Sequence, residues 1–107
     1  MTSKRYRIEW RPMAQDDLRA IVRYIGIDNP TRARTFGQEI RDKTRQLALH
    51  PELGRAGRPG LPADARELVA HPNNVVFYRV LAETRTVQIL RVKHAAQQAP
   101  ARQEWQS

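Results

Sequence analysis

Residues 66–94 constrain the fold of this chain more than any other stretch. Three runs rich in β-branched and aromatic residues follow one another: Arg66-Glu67-Leu68-Val69, Val75-Val76-Phe77-Tyr78-Arg79-Val80 and Ile89-Leu90-Arg91-Val92-Lys93-His94. The connections Pro72-Asn73-Asn74 and Glu83-Thr84-Arg85 are short, which predicts two antiparallel hairpins. Basic side chains interrupt every run, and strands that carry fixed cations suit a polyanion. The middle run is apolar on both parities, Val75 and Phe77 on one, Val76, Tyr78 and Val80 on the other. A sheet covered by helices on one side needs only one apolar face. The other face is therefore expected to be packed by the C-terminal tail or to receive a partner.

Upstream, Tyr6, Ile8 and Trp10 alternate with Arg7 and Glu9, the period of a first strand. Pro12 suits the first turn of a helix, where its missing N–H is not needed. Asp16 and Asp17 are placed near that start, where the helix dipole favours carboxylates. Ala14, Leu18, Ile21, Val22 and Ile25 form one apolar stripe. Asp28-Asn29-Pro30 breaks the helix, with Asn29 as cap and Pro30 as first residue of a second one. Its buried side is Ala33, Phe36, Ile40, Thr44 and Leu47, and Gly37 permits close packing on the first helix. His50 reads as its last residue, because Pro51 follows. Residues 54–62 are a loop of breakers, and residues 95–107 are a polar tail marked only by Trp105. The expected class is α+β with the order β-α-α-β-β-β. A helical hairpin covers one face of a small, mostly antiparallel sheet, in a single domain spanning 1–107.

Composition narrows the partners. The 107 residues carry 19 Lys+Arg against 11 Asp+Glu, a net charge of +8. Such a balance favours nucleic acid, an acidic protein or an anionic surface. The chain has no cysteine, which excludes disulfides, zinc-thiolate sites and thiol nucleophiles. No apolar run approaches the roughly 20 residues that span a bilayer, so no membrane is expected and the cytoplasm is. No metal constellation, phosphate-cradling glycine loop or Ser/His/Asp set stands out, so neither metal nor cofactor is expected.

Several side chains are candidates for anion or target binding. Arg55 and Arg58 lie on the loop, and Arg66, Arg79, Arg91 and Lys93 on the strands. Their plainer reading is a solvated face, or snorkelling over apolar neighbours. Arg66, Arg79 and Arg91 sit on three consecutive strands, so a meander gathers them if their parities agree. His94 titrates near neutrality and could serve as acid or base. Its parity opposes that of Arg91 and Lys93, and its plainer reading is a strand-end residue bonded to backbone or water. His71 reads as a turn residue beside Pro72. Tyr78 reads either as a buried strand aromatic or as a platform for a base.

The chain resembles the RelE/ParE toxin superfamily over roughly residues 6–97. The resemblance rests on Ala14-Gln15-Asp16-Asp17-Leu18, Asn29-Pro30, His50-Pro51-Glu52-Leu53-Gly54-Arg55, Arg66-Glu67-Leu68, Val76-Phe77-Tyr78-Arg79-Val80 and Ile89 through Gln97. It implies a growth-inhibiting toxin neutralised by a cognate antitoxin, here expected to bind through an apolar and acidic segment. RelE-like members cleave mRNA on the ribosome, and ParE-like members poison DNA gyrase. Arg66 falls where both branches place a basic residue, and His94 where histidine-using nucleases place a late histidine. Val69 and Asn73 stand where those nucleases have histidine and aspartate. Leu68 and Ala70 replace two cations of the RelE branch. The expectation is a ParE-like action on gyrase. The alternatives are an mRNA endoribonuclease using Arg66 and His94, and an antitoxin-binding protein without remaining toxicity.

Overall fold

Alternation along the first strand sends Tyr6, Ile8 and Trp10 to one side, where they pack on the main core. The computed structural model describes residues 5–56 and 64–94. Its elements are β1 (Arg7–Trp10), α1 (Pro12–Asp28), α2 (Pro30–Arg45), a 3₁₀ turn (Gln46–Ala48), β2 (Arg55–Ala56), β3 (Ala65–His71), β4 (Asn74–Leu81) and β5 (Thr86–His94). The sheet runs β1-β5-β4-β3-β2. Only β1 and β5 are parallel; the other pairs are antiparallel. The expected α+β order therefore holds for the long elements. The short strand β2 is an addition, since residues 54–62 read as loop.

The helix boundaries follow from local chemistry. Pro12 opens α1. The Asn29 side chain accepts from the Arg32 N–H at 3.0 Å and caps α2, with Pro30 first. That bond satisfies one of the orphan donors at a helix start. A Cβ on Gly37 would lie 3.4 Å from Val22, so the two helices pack closely there. Asp16 and Asp17, by contrast, lie beyond the first turn, which holds no acidic residue. Nor does His50 end α2. The helix stops at Arg45, tightens into the 3₁₀ turn, and leaves His50 in the turn that follows.

The core lies between the hairpin and the sheet. Ala14, Leu18, Phe36, Ile40 and Leu47 meet Leu68, Val76, Tyr78, Val87, Ile89 and Val92. A bulge sits between the pairs Phe77↔Arg91 and Tyr78↔Ile89. It lets Ile89 and Val92 share the helix side although they differ in parity. On the helix-free face, Ala65, Val75, Phe77 and Leu90 form a second buried cluster. These side chains are already covered, which corrects the expectation that they wait for a partner. The tail, offered as their other cover, lies outside the described residues, as do Arg58 and Trp105.

Candidate functional site

An open concavity lies on the helix side, at the end of the sheet nearest the β3–β4 turn. It has a volume of ≈ 680 Å³ and includes Ile21, Tyr24 and Ile25 of α1, Phe36 of α2, and Val92 and His94 of β5. It exists because β1 is short. β1 accompanies β5 only from Thr86 to Ile89, and the Arg11 N–H then donates to the Ile89 carbonyl before the chain leaves for α1. The edge of β5 beyond Ile89 faces α1 directly. Asp17 closes part of that edge. Its carboxylate accepts from the Val92 N–H at 3.0 Å and from Arg91 Nε and Nη2 at 2.7 and 3.0 Å. The Arg91 and Asp17 side chains are only 13% and 18% exposed, so the pair is partly desolvated and stronger than a surface ion pair.

Along the far wall, His71, Asn74 and His94 stand in one row across β3, β4 and β5. His71 is held rather than free to swing. The Asn73 N–H donates to its Nδ1 at 3.3 Å, Arg32 Nη2 lies 3.3 Å from its Nε2, and Phe36 meets it edge-on at 5.2 Å. Arg32 in turn donates to both oxygens of Glu39 at 3.0 and 3.3 Å. The groove thus has an apolar floor and a rim of cations, two of them paired with carboxylates. Tyr24 at the margin of the groove and Ile27 beyond it stand 77% and 75% exposed on α1.

The remaining expected site residues are dispersed. Arg66 lies opposite Tyr78, and Arg79 opposite Ala65. Adjacent strand positions face opposite ways, so Arg66 and Arg79 are on different faces and the three arginines do not gather. Arg66 Nη1 donates to the Gly54 carbonyl at 2.7 Å and reaches the Glu52 carbonyl at 3.4 Å. The Tyr78 hydroxyl completes this clasp, donating to Pro51 O at 2.8 Å and accepting from Gly54 N–H at 2.9 Å. Burial pushes the Tyr78 pKa up, against a smaller downward pull from the Gly54 bond. Tyr78 is therefore a core anchor, not a platform for a base. Arg79 Nε donates to Gln88 Oε1 at 3.0 Å. Arg55 donates to the buried Glu67 at 3.2 Å. Lys93 and His94 border the groove, Lys93 opposite Val75 and His94 opposite Asn74.

Sequence reasoning missed Asp17 in its role at the β5 edge, because nothing local links it to a strand some 75 residues away. The exposed pair Tyr24 and Ile27 had a signal, two apolar residues three apart on a polar helix side.

A helical hairpin laid on such a sheet, open beside the last strand, is the architecture of small toxins in toxin–antitoxin pairs. A chain of "Chromosomal ParDE TA system from P. aeruginosa" superposes with a TM-score of 0.71 and 26% identity, covering 86% of this chain and 98% of that one. The toxin–antitoxin complex RelBE2 from Mycobacterium tuberculosis superposes at 0.60 with 22% identity, covering 84% and 98%, and attests the fold. Residues 8–99 match the family described as ParE toxin of type II toxin–antitoxin system, parDE. The chain belongs to that family. No curated protein matches it in sequence.

Proposed function

We propose that this toxin acts in the ParE manner, on DNA gyrase, and is held inactive by an antitoxin segment lying in the groove beside β5. The observation that carries the choice of target is the separation of Arg66 from His94. Both are on the helix side of the sheet, but Arg66 is in register with Tyr78 and His94 with Asn74. Four residues of strand, about 13 Å, lie between those rows. Val76 fills the space and is fully buried. RNA cleavage needs acid, base and phosphorane-stabilising cations around one phosphodiester, and this pair cannot meet there. The match to the parDE family supports the same reading.

The groove suits an apolar and acidic segment. Ile21, Ile25, Phe36 and Val92 supply the floor, and Arg32, Arg91 and Lys93 the basic rim. Burial of the apolar side would supply affinity, and the rim orientation and a salt-dependent association rate.

One observation favours the nuclease alternative. His71 and His94 share a row across the sheet and open into the groove beside Arg91. A single comparison separates the two. Purified protein is added to gyrase with supercoiled plasmid, and separately to translating ribosomes. Stabilised cleavage complexes with intact mRNA are expected. Codon-dependent mRNA cuts that vanish in His94→Ala, with gyrase untouched, would overturn the gyrase reading.

A further inference from the structure

The arginines of this chain divide into two groups. Arg11, Arg19, Arg32, Arg45, Arg55 and Arg91 each reach a carboxylate within 4.0 Å. Among the described residues Arg23, Arg34 and Arg41 of the helices and Arg66 of β3 reach none, and neither do Arg5, Arg7, Arg79 and Arg85. The last four lie towards one end of the sheet. Arg7 is in register with Thr86 on β5, and its N–H donates to the Arg85 carbonyl at 2.8 Å. Arg5 lies two residues before Arg7, where this strand begins. Arg79 shares the next row with Gln88 and Glu9. Arg7, Glu9, Gln88 and Arg79 all point to the helix-free face, because Ile8, Val87 and Val80 beside them pack on the helix-side core. Arg7 and Arg79 are thus two strand spacings across and two residues along from each other, about 12 Å.

The nearby carboxylates do not neutralise this end. Glu9 is taken by Arg11 at 3.5 Å and by Gln88 Nε2 at 2.9 Å, and Gln88 turns its oxygen to Arg79. Arg79 is thereby oriented by an amide and keeps its full charge. Glu83 forms no ion pair among the described residues. Arg85 has a left-handed backbone, φ 50, in a turn position where glycine or asparagine would be at ease. Like charges held this close repel unless an anion joins them.

We infer that the arginine end of the helix-free face, where Arg7 and Arg79 stand on the strands and Arg5 and Arg85 flank them in the chain, binds the phosphate backbone of double-helical nucleic acid. The forked guanidinium matches phosphate oxygens. Among the described residues no aromatic ring shares these rows on this face, since Tyr6, Trp10 and Tyr78 pack on the other side. Unpaired bases would find no stacking platform, so the surface fits phosphates presented by a duplex and reads no sequence. This surface is separate from the groove and does not depend on the identity of the toxin's target.

The test is equilibrium binding of the full chain to a mixed-sequence DNA duplex across a salt series, followed by anisotropy. Four free cations predict a log–log salt slope of roughly −3 to −4, from about 0.9 per phosphate neutralised. Arg7→Gln combined with Arg79→Gln should reduce the slope by about 2. Arg23→Gln combined with Arg34→Gln, which removes the same charge from the helices, should leave it within about half a unit. A duplex RNA should bind within a few-fold of DNA, and a single strand more weakly. If the strand double variant loses its fold, Arg85→Gln, at an exposed turn, must still lower the slope by about 1. Equal loss in the helix double variant would show that net charge alone binds, and would overturn the site. So would tighter binding of single strands, or displacement by polyglutamate at matched charge, which would assign the surface to an acidic protein.

Discussion

Tyr78 illustrates how much one polar atom can organise. Its ring belongs to the main core, and its hydroxyl bridges Pro51 and Gly54, fastening the 51–54 turn to the sheet. A Cβ on Gly54 would lie 2.7 Å from the Glu67 carbonyl and 2.8 Å from Tyr78, so the close approach requires glycine. Tyr78→Phe leaves the ring in place and strands two buried backbone groups. It should cost about 1–3 kcal/mol in denaturant unfolding. The pH dependence has a definite sign. Burial raises the hydroxyl pKa above its ordinary 10.0, so the folded state keeps a proton that the unfolded state releases. Stability from this group is complete below about pH 10 and falls as pH rises towards the raised value. The Phe variant should lack that alkaline loss, and an unchanged loss would remove Tyr78 as its source. In the sequence, period-two alternation identified this residue as a buried aromatic or a base platform. Its hydroxyl partners were not legible, because they come from a turn about 25 residues upstream.

At the scale of elements, most of the architecture could be read in advance. Asn29-Pro30 marked the helix junction through cap chemistry, and the two hairpin turns marked the strand order. What escaped was the contact between α1 and β5. Asp17 read as a carboxylate for the helix dipole, whereas it serves as the acceptor for a strand edge that β1 is too short to cover. Arg91 likewise read as a phosphate ligand or a solvated cation; its observed partner is Asp17. Replacing Asp17 with alanine takes a carboxylate from Arg91 and an acceptor from Val92. A loss of about 2–4 kcal/mol is expected. A double-mutant cycle of Asp17→Ala and Arg91→Ala, followed by thermal melting, should give a coupling above 1 kcal/mol. Strict additivity would make the contact incidental. The same cycle bears on toxicity. Loss of growth inhibition in Arg91→Ala that tracks its drop in melting temperature assigns Arg91 to the fold.

On the whole molecule, the helices carry both paired and unpaired arginines, and Arg7 and Arg79 stand without a carboxylate at one end of the helix-free face among the described residues. Tyr24→Glu should weaken antitoxin binding at least tenfold by titration calorimetry while leaving the melting temperature within a few degrees, since the side chain is exposed. Undiminished affinity would move the antitoxin away from the groove. The net charge of +8 announced a polyanion but could not locate it, because charge placement depends on which strands become neighbours. The pairing of β1 with β5 has a consequence for how the toxin comes into being. Among the described residues the first strand has no partner but β5, and β5 is also the neighbour that β4 needs on its other side. Synthesis runs from the N-terminus at about 5–20 residues per second. The helical hairpin can form early from local contacts, but it waits several seconds for the strand that completes the sheet beneath it. Until residues 86–94 emerge, neither the groove nor the arginine end exists. A nascent chain therefore lacks both surfaces until the message has been read nearly to its last described strand.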